Sequence, residues 1–89
     1  MNLKYSFIIP AYNEEALIGR TLDTLRESAS HLKGAFEIVV ANDDSADRTP
    51  EIAREKGARV IDVKKRQISA VRNAGASIAT GEILIFVDA

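Results

Sequence analysis

The sequence predicts an α/β domain, Rossmann-like in the order βαβαβαβ, with a four-stranded parallel sheet in the order 3-2-1-4. Two observations carry this. Strand-sized apolar runs alternate with helical patterns, and such crossovers build parallel sheets with right-handed connections. The runs Phe7-Ile8-Ile9, Ile38-Val39-Val40 and Ile83-Leu84-Ile85-Phe86-Val87 are also continuous rather than alternating. Strands covered by helices on both faces read that way.

The first strand runs from Tyr5 to Pro10. The helix after it carries Ile18, Leu22, Leu25, Ala29 and Leu32, at spacings of 4, 3, 4 and 3, on one face. Asn13 is expected to cap this helix, with Glu14 and Glu15 at the positive end of its dipole. His31 and Lys33 fall in its last turn and Gly34 stops it. The second strand spans Phe36 to Ala41. Thr49-Pro50-Glu51 opens the second helix, a cap followed by proline, and Gly57 closes it. The third strand is Arg59 to Val63. The third helix sets Ile68, Val71, Ala74, Gly75 and Ile78 on one stripe and ends near Gly81. The fourth strand spans Glu82 to Val87.

Composition narrows the function classes. The 89 residues are 46% hydrophobic and 28% charged, with a net charge of −1 and no cysteine. Disorder, disulfides and thiolate metal sites are thereby excluded. Near-neutral charge argues against bulk binding of nucleic acid or an anionic membrane. No apolar run approaches the ~20 residues of a spanning helix. The start, Met1-Asn2-Leu3-Lys4-Tyr5, shows no signal or transit peptide. A reduced, cytoplasmic setting is expected.

Polar residues gather where an open parallel sheet places its ligands, beyond the carboxyl ends of strands. Pro10 to Glu15 follow the first strand, Asn42 to Thr49 the second, and Asp88-Ala89 the fourth. Singly, each has a bland explanation: Asn13 as a cap, Asp43, Asp44 and Asp47 as turn residues, Lys64-Lys65-Arg66 as a solvated loop. Together they suggest recognition of base or ribose polar groups, or of a divalent cation. The turn after the first strand lacks glycine, so the dinucleotide fingerprint is missing, and no P-loop exists. A bound pyrophosphate would need metal and basic side chains instead. The single histidine, at the far end of a helix, supports no Ser/His/Asp set.

Four segments carry a resemblance. Ser6-Phe7-Ile8-Ile9-Pro10-Ala11-Tyr12-Asn13-Glu14-Glu15 resembles the opening strand and loop of family 2 glycosyltransferases, which have the GT-A fold. Asn42-Asp43-Asp44-Ser45-Ala46-Asp47-Arg48-Thr49 is similar to that family's loop after the second strand. Ser69-Ala70-Val71-Arg72-Asn73-Ala74-Gly75 is similar to its Ala-Arg-Asn-x-Gly segment. Gly81 to Ala89 resembles the strand leading into its Asp-x-Asp metal motif. The chain thus looks like the N-terminal half of a GT-A fold, residues 1–89 forming the donor-nucleotide half of a truncated transferase domain.

The resemblance implies a nucleotide-diphosphate-sugar donor, most often a UDP-sugar, bound with Mn²⁺ or Mg²⁺. It assigns nucleotide binding to Pro10, Ala11, Tyr12, Glu14, Asn42, Asp43, Arg66, Arg72 and Asp88, with Tyr12 beside the base and Asp88 at the metal. Asn42 stands where the family usually has an aspartate that hydrogen-bonds uracil. Asp44 and Gln67 replace frequent glycines. The implied reaction is inverting transfer of the sugar to an acceptor hydroxyl. The resemblance puts the acceptor site and catalytic base outside this chain, so no catalytic residue is expected within it and the 89 residues alone should be inactive. The acceptor is unspecified, and the parent protein is expected in the cytoplasm or at the cytoplasmic face of a membrane. The bare apolar strand Ile83 to Val87 predicts self-association. A nucleotidyltransferase is the competing enzyme class, but it expects a Gly-rich basic loop after the first strand. A receiver-like module is the non-enzymatic alternative, but it expects its acidic pair near the end of the first strand.

Overall fold

In a computed structural model, residues 2–88 are described. Met1 and Ala89, the outer ends of the first and last segments quoted above, lie outside the described residues. The elements follow the expected order: β1 (Tyr5–Ala11), α1 (Ile18–Ala29), β2 (Phe36–Asp43), α2 (Thr49–Glu55), β3 (Arg59–Val63), α3 (Ile68–Ile78) and β4 (Ile83–Phe86). The strands form one parallel sheet in the order β3-β2-β1-β4, as predicted.

Strand alternation sorts the side chains onto two covered faces. Phe7, Ile9, Ala11, Ile38 and Val40 pack with Ile18, Leu22 and Ala29 of α1 and Ala53 of α2 in the main core. The opposite face of β1 and β2 meets α3. There Gly75 lies so close to β1 that a Cβ on it would sit 2.6 Å from Ile8 Cγ2. Both faces of the central strands are therefore buried, which explains their unbroken apolar runs.

The carboxyl edge is fastened by the loops after β1 and β2. Asn13 Oδ1 accepts the Ala46 N–H at 2.8 Å, and the Asn13 N–H donates to Ser45 Oγ at 3.0 Å. The Glu14 N–H donates to the buried Thr49 hydroxyl at 2.8 Å. The Glu15 N–H reaches Asp47 Oδ2 at 3.2 Å, and the Arg48 N–H returns to Glu15 Oε2 at 3.1 Å. The Thr49 hydroxyl, with smaller help from the Thr49 and Glu15 N–H groups against opposing burial, holds the Asp47 carboxyl below its usual range.

The expected cap on α1 is corrected by these bonds. Leu17 precedes the helix without a side-chain cap, and Asn13 adopts φ 50 to bridge two loops. A short polar side chain tolerates that left-handed backbone. The helix also stops at Ala29, so His31, Leu32 and Lys33 follow it rather than complete it. Gly34 serves the next turn at φ 122, packed on Lys4.

The opposite edge of the sheet is tied by Glu37. Its carboxylate accepts from the Ser6 hydroxyl at 2.7 Å, the Thr80 N–H at 2.7 Å, the Thr80 hydroxyl at 3.1 Å and the Arg59 guanidinium at 2.8 Å. The Gly81 N–H donates to the Ser6 oxygen at 2.7 Å. Burial is the largest single influence on this carboxyl and opposes its charge. The bonds from Ser6, Thr80 and Arg59 outweigh it and lower the pKa from 4.5 to about 2.

Candidate functional site

Parallel strands bring the ends of β1, β2 and β4 to one edge. Ala11 pairs with Asn42, and Ile8 pairs with Phe86, two residues before Asp88. A cleft of about 400 Å³ opens there, lined by Pro10, Ala11, Tyr12 and Glu14, by Asp43, by Arg66, Gln67, Ile68 and Val71, and by Asp88. The strand ends form one wall and the start of α3 the other.

Asp43 is held as an acceptor. Its Oδ1 takes the Lys65 N–H at 2.7 Å, and its Oδ2 takes the Arg66 N–H at 3.1 Å. These bonds tie the turn after β3 to the end of β2 and require Arg66 at φ 55. The Arg66 guanidinium then lies 4.9 Å from the centre of the Tyr12 ring, a cation–π contact. The Tyr12 side chain raises the Arg66 pKa; burial opposes it more weakly, and the charges of Asp44 and then Asp43 add still smaller increases. Arg66 is a permanent cation of the rim. Tyr12 remains 45% exposed and offers an aromatic face to the cleft.

Of the nine residues expected at a nucleotide site, seven line this cleft: Pro10, Ala11, Tyr12, Glu14, Asp43, Arg66 and Asp88. Arg72 stands behind it, its Nη2 paired with Asp88 Oδ1. Asn42 is the departure. It shares the face of Val40, so its side chain points away from α3 and the cleft. Its Nδ2 donates to Asp62 Oδ1 at 3.0 Å, and the residue is 5% exposed. Because that carboxylate only accepts, the amide orientation is set. The cleft-facing acidic residue of the pair is Asp43, from the opposite side of the same strand.

Gln67, Ile68 and Val71 line the cleft although the sequence suggested no site role for them. The helical stripe buries Val71 against the sheet, while Ile68 at the start of α3 stays 55% exposed at the cleft. The order 3-2-1-4 was the available signal, since right-handed crossovers put α3 on the face opposite α1 and α2.

No group of three or more His, Asp or Glu side chains is arranged for a metal among the described residues. Asp88 is a single hard-oxygen donor. That suits a cation such as Mg²⁺ or Mn²⁺, which binds through one or two carboxylates and completes its shell with water and substrate phosphates.

The family model described as Glycosyl transferase family 2 matches residues 6–89. An uncharacterized glycosyltransferase, YkcC, of Bacillus subtilis is 34% identical over 99% of this chain and 29% of its own length. Glucosyl-3-phosphoglycerate synthase of Mycobacterium tuberculosis, solved with Mn²⁺, UDP and glucosyl-3-phosphoglycerate, superposes with a TM-score of 0.73. It is 29% identical over 97% of this chain and 33% of its own. The mannosyltransferase PcManGT of Pyrobaculum calidifontis, solved with GDP-Man and Mn²⁺, gives a TM-score of 0.82 at 26% identity. The match covers 99% of this chain and 28% of that one. The 89 residues thus span about a third or less of the proteins they match.

Proposed function

This chain belongs to glycosyl transferase family 2, and we propose that it forms the part of a transferase that binds the nucleotide-diphosphate-sugar donor. The observation that carries the proposal is the convergence of Tyr12, Asp43, Arg66 and Asp88 on one cleft from three strand ends and the turn after β3.

Each side chain has a distinct task. The Tyr12 ring gives a base its stacking face. Asp43 can only accept, so it can pair with the ring N–H of uracil or guanine. A UDP-sugar is the donor we favour. Arg66 meets the phosphates with a guanidinium, the group suited to phosphate oxygens. Pro10, Ala11 and Glu14 shape the wall beside the nucleoside. Arg72 holds the Asp88 carboxylate at the cleft end. Asp88 is the residue that would hold Mn²⁺ or Mg²⁺ together with the donor phosphates. Such a cation would supply positive charge beside the diphosphate as the bond between the anomeric carbon and the phosphate oxygen breaks.

In the whole protein we infer attack by an acceptor hydroxyl with inversion at the anomeric carbon. The general base comes from residues other than these, so the 89 residues alone show no transferase turnover. A cytoplasmic setting, or the cytoplasmic face of a membrane, is part of this reading; no helix among the described residues is long and apolar enough to cross a membrane. The exposed edge of β4 supports self-association of this chain.

Calorimetric titration tests the donor site. Saturable binding of UDP with Mn²⁺ is expected, at least about tenfold tighter than ADP, with no response to acetyl phosphate. Asp43→Ala should erase the preference for UDP. Equal affinity for UDP and ADP, or no binding of UDP, would overturn the proposal.

A further inference from the structure

Asp44 sits outside the cleft lining, yet it faces the cation that the cleft uses. Its Oδ2 lies 3.3 Å from Arg66 Nη2 and 3.9 Å from Lys64 Nζ. The residue adopts φ 54, a left-handed backbone that glycine takes without strain. Aspartate tolerates that backbone, which holds its carboxylate against the two cations.

From this geometry we infer that Asp44 is an internal counter-anion that competes with the donor's phosphates for Arg66 and Lys64. The inference rests on the donor-site reading above. Arg66 is the cation among the cleft-lining residues, and a carboxylate already occupies one end of its guanidinium. An incoming diphosphate must share or displace that carboxylate. When the diphosphate leaves, Asp44 recloses on the same nitrogen. It therefore weakens retention of the nucleoside diphosphate, the product whose release limits many transferring enzymes. It does not touch the base, which is met by Tyr12 and Asp43. The effect falls on phosphate affinity alone.

Two substitutions separate charge from backbone. Asp44→Asn removes the charge and keeps a residue that tolerates the left-handed conformation. Asp44→Gly removes the charge and the strain together. The whole chain is titrated with UDP and with uridine, each at low and at high salt. Both variants should bind UDP about two- to fivefold tighter than the wild type at low salt, as expected for releasing exposed ion pairs. The gain should shrink as salt screens the cations. Uridine affinity should not change. Unchanged or weaker UDP binding by both variants overturns the inference while leaving the donor site intact. A gain for uridine equal to that for UDP overturns it too, because Asp44 would then act through the shape of the Tyr12 pocket. A wild-type chain that binds neither ligand removes the donor site, and this inference with it.

Discussion

The guanidinium of Arg66 lies 4.9 Å from the centre of the Tyr12 ring, which joins the turn after β3 to the loop after β1 across the end of β2. Asp43 makes the contact possible by accepting the Arg66 backbone N–H at 3.1 Å. One carboxylate thus aims a cation and presents an acceptor in the same cleft.

Tyr12→Ala should weaken UDP binding by about 1–3 kcal/mol, the usual worth of an aromatic stacking face. Tyr12→Phe keeps the ring and should bind within about twofold of the wild type. Titration of both variants checks this, and equal losses in the two would assign the effect to the hydroxyl instead.

Acid should loosen the fold through Glu37. Its pKa falls from 4.5 to about 2 on folding, so its stabilisation is complete above pH 4.5 and disappears as the pH drops toward 2. The shift corresponds to at most about 3 kcal/mol. Urea unfolding of the wild type between pH 6 and 2.5 should show this slope, and Glu37→Gln should flatten it while lowering stability at pH 6.

Gly75→Ala should destabilise the chain by about 1–3 kcal/mol, because its methyl would meet Ile8 Cγ2 at 2.6 Å in a sheet that cannot retreat. Denaturant midpoints measure the loss. Ile8→Ala removes Cγ2, so it should cost less stability in the Gly75→Ala background than in the wild type if the clash is the cause.

The edge of β4 exposes Ile83, Leu84 and Phe86, the last at 46%. Strand-to-strand pairing of two copies should raise the sedimenting mass at high micromolar concentration, and Phe86→Lys should return it to the monomer. A wild type that sediments as a monomer throughout that range would rule the pairing out.

Much of the fold was legible in the sequence because its signals are local. Apolar runs at Phe7-Ile8-Ile9 and Ile38-Val39-Val40 specify buried strands, and the stripe from Ile68 to Ile78 specifies a helix. Parallel crossovers then force the strand ends, with Tyr12, Asp43 and Asp88, onto one edge. The four family-like segments identified the class before any coordinate did, and the family match over residues 6–89 agrees.

Other features were decided only by the tertiary structure. Asn13 accepts the Ala46 N–H with its side-chain oxygen and donates its backbone N–H to Ser45 Oγ, although capping the next helix was the nearer option. Asn42 and Asp43 are neighbours in the chain but face opposite sides of the sheet, so one meets Asp62 and the other the cleft. Glu37 looked like an ordinary strand residue until β1, β3 and the approach to β4 closed around it. Periodicity and turn chemistry depend on neighbours a few residues away and survive in the bare sequence. The partner of a polar side chain depends on register and on which face a strand turns to which helix, and those exist only once the sheet is assembled.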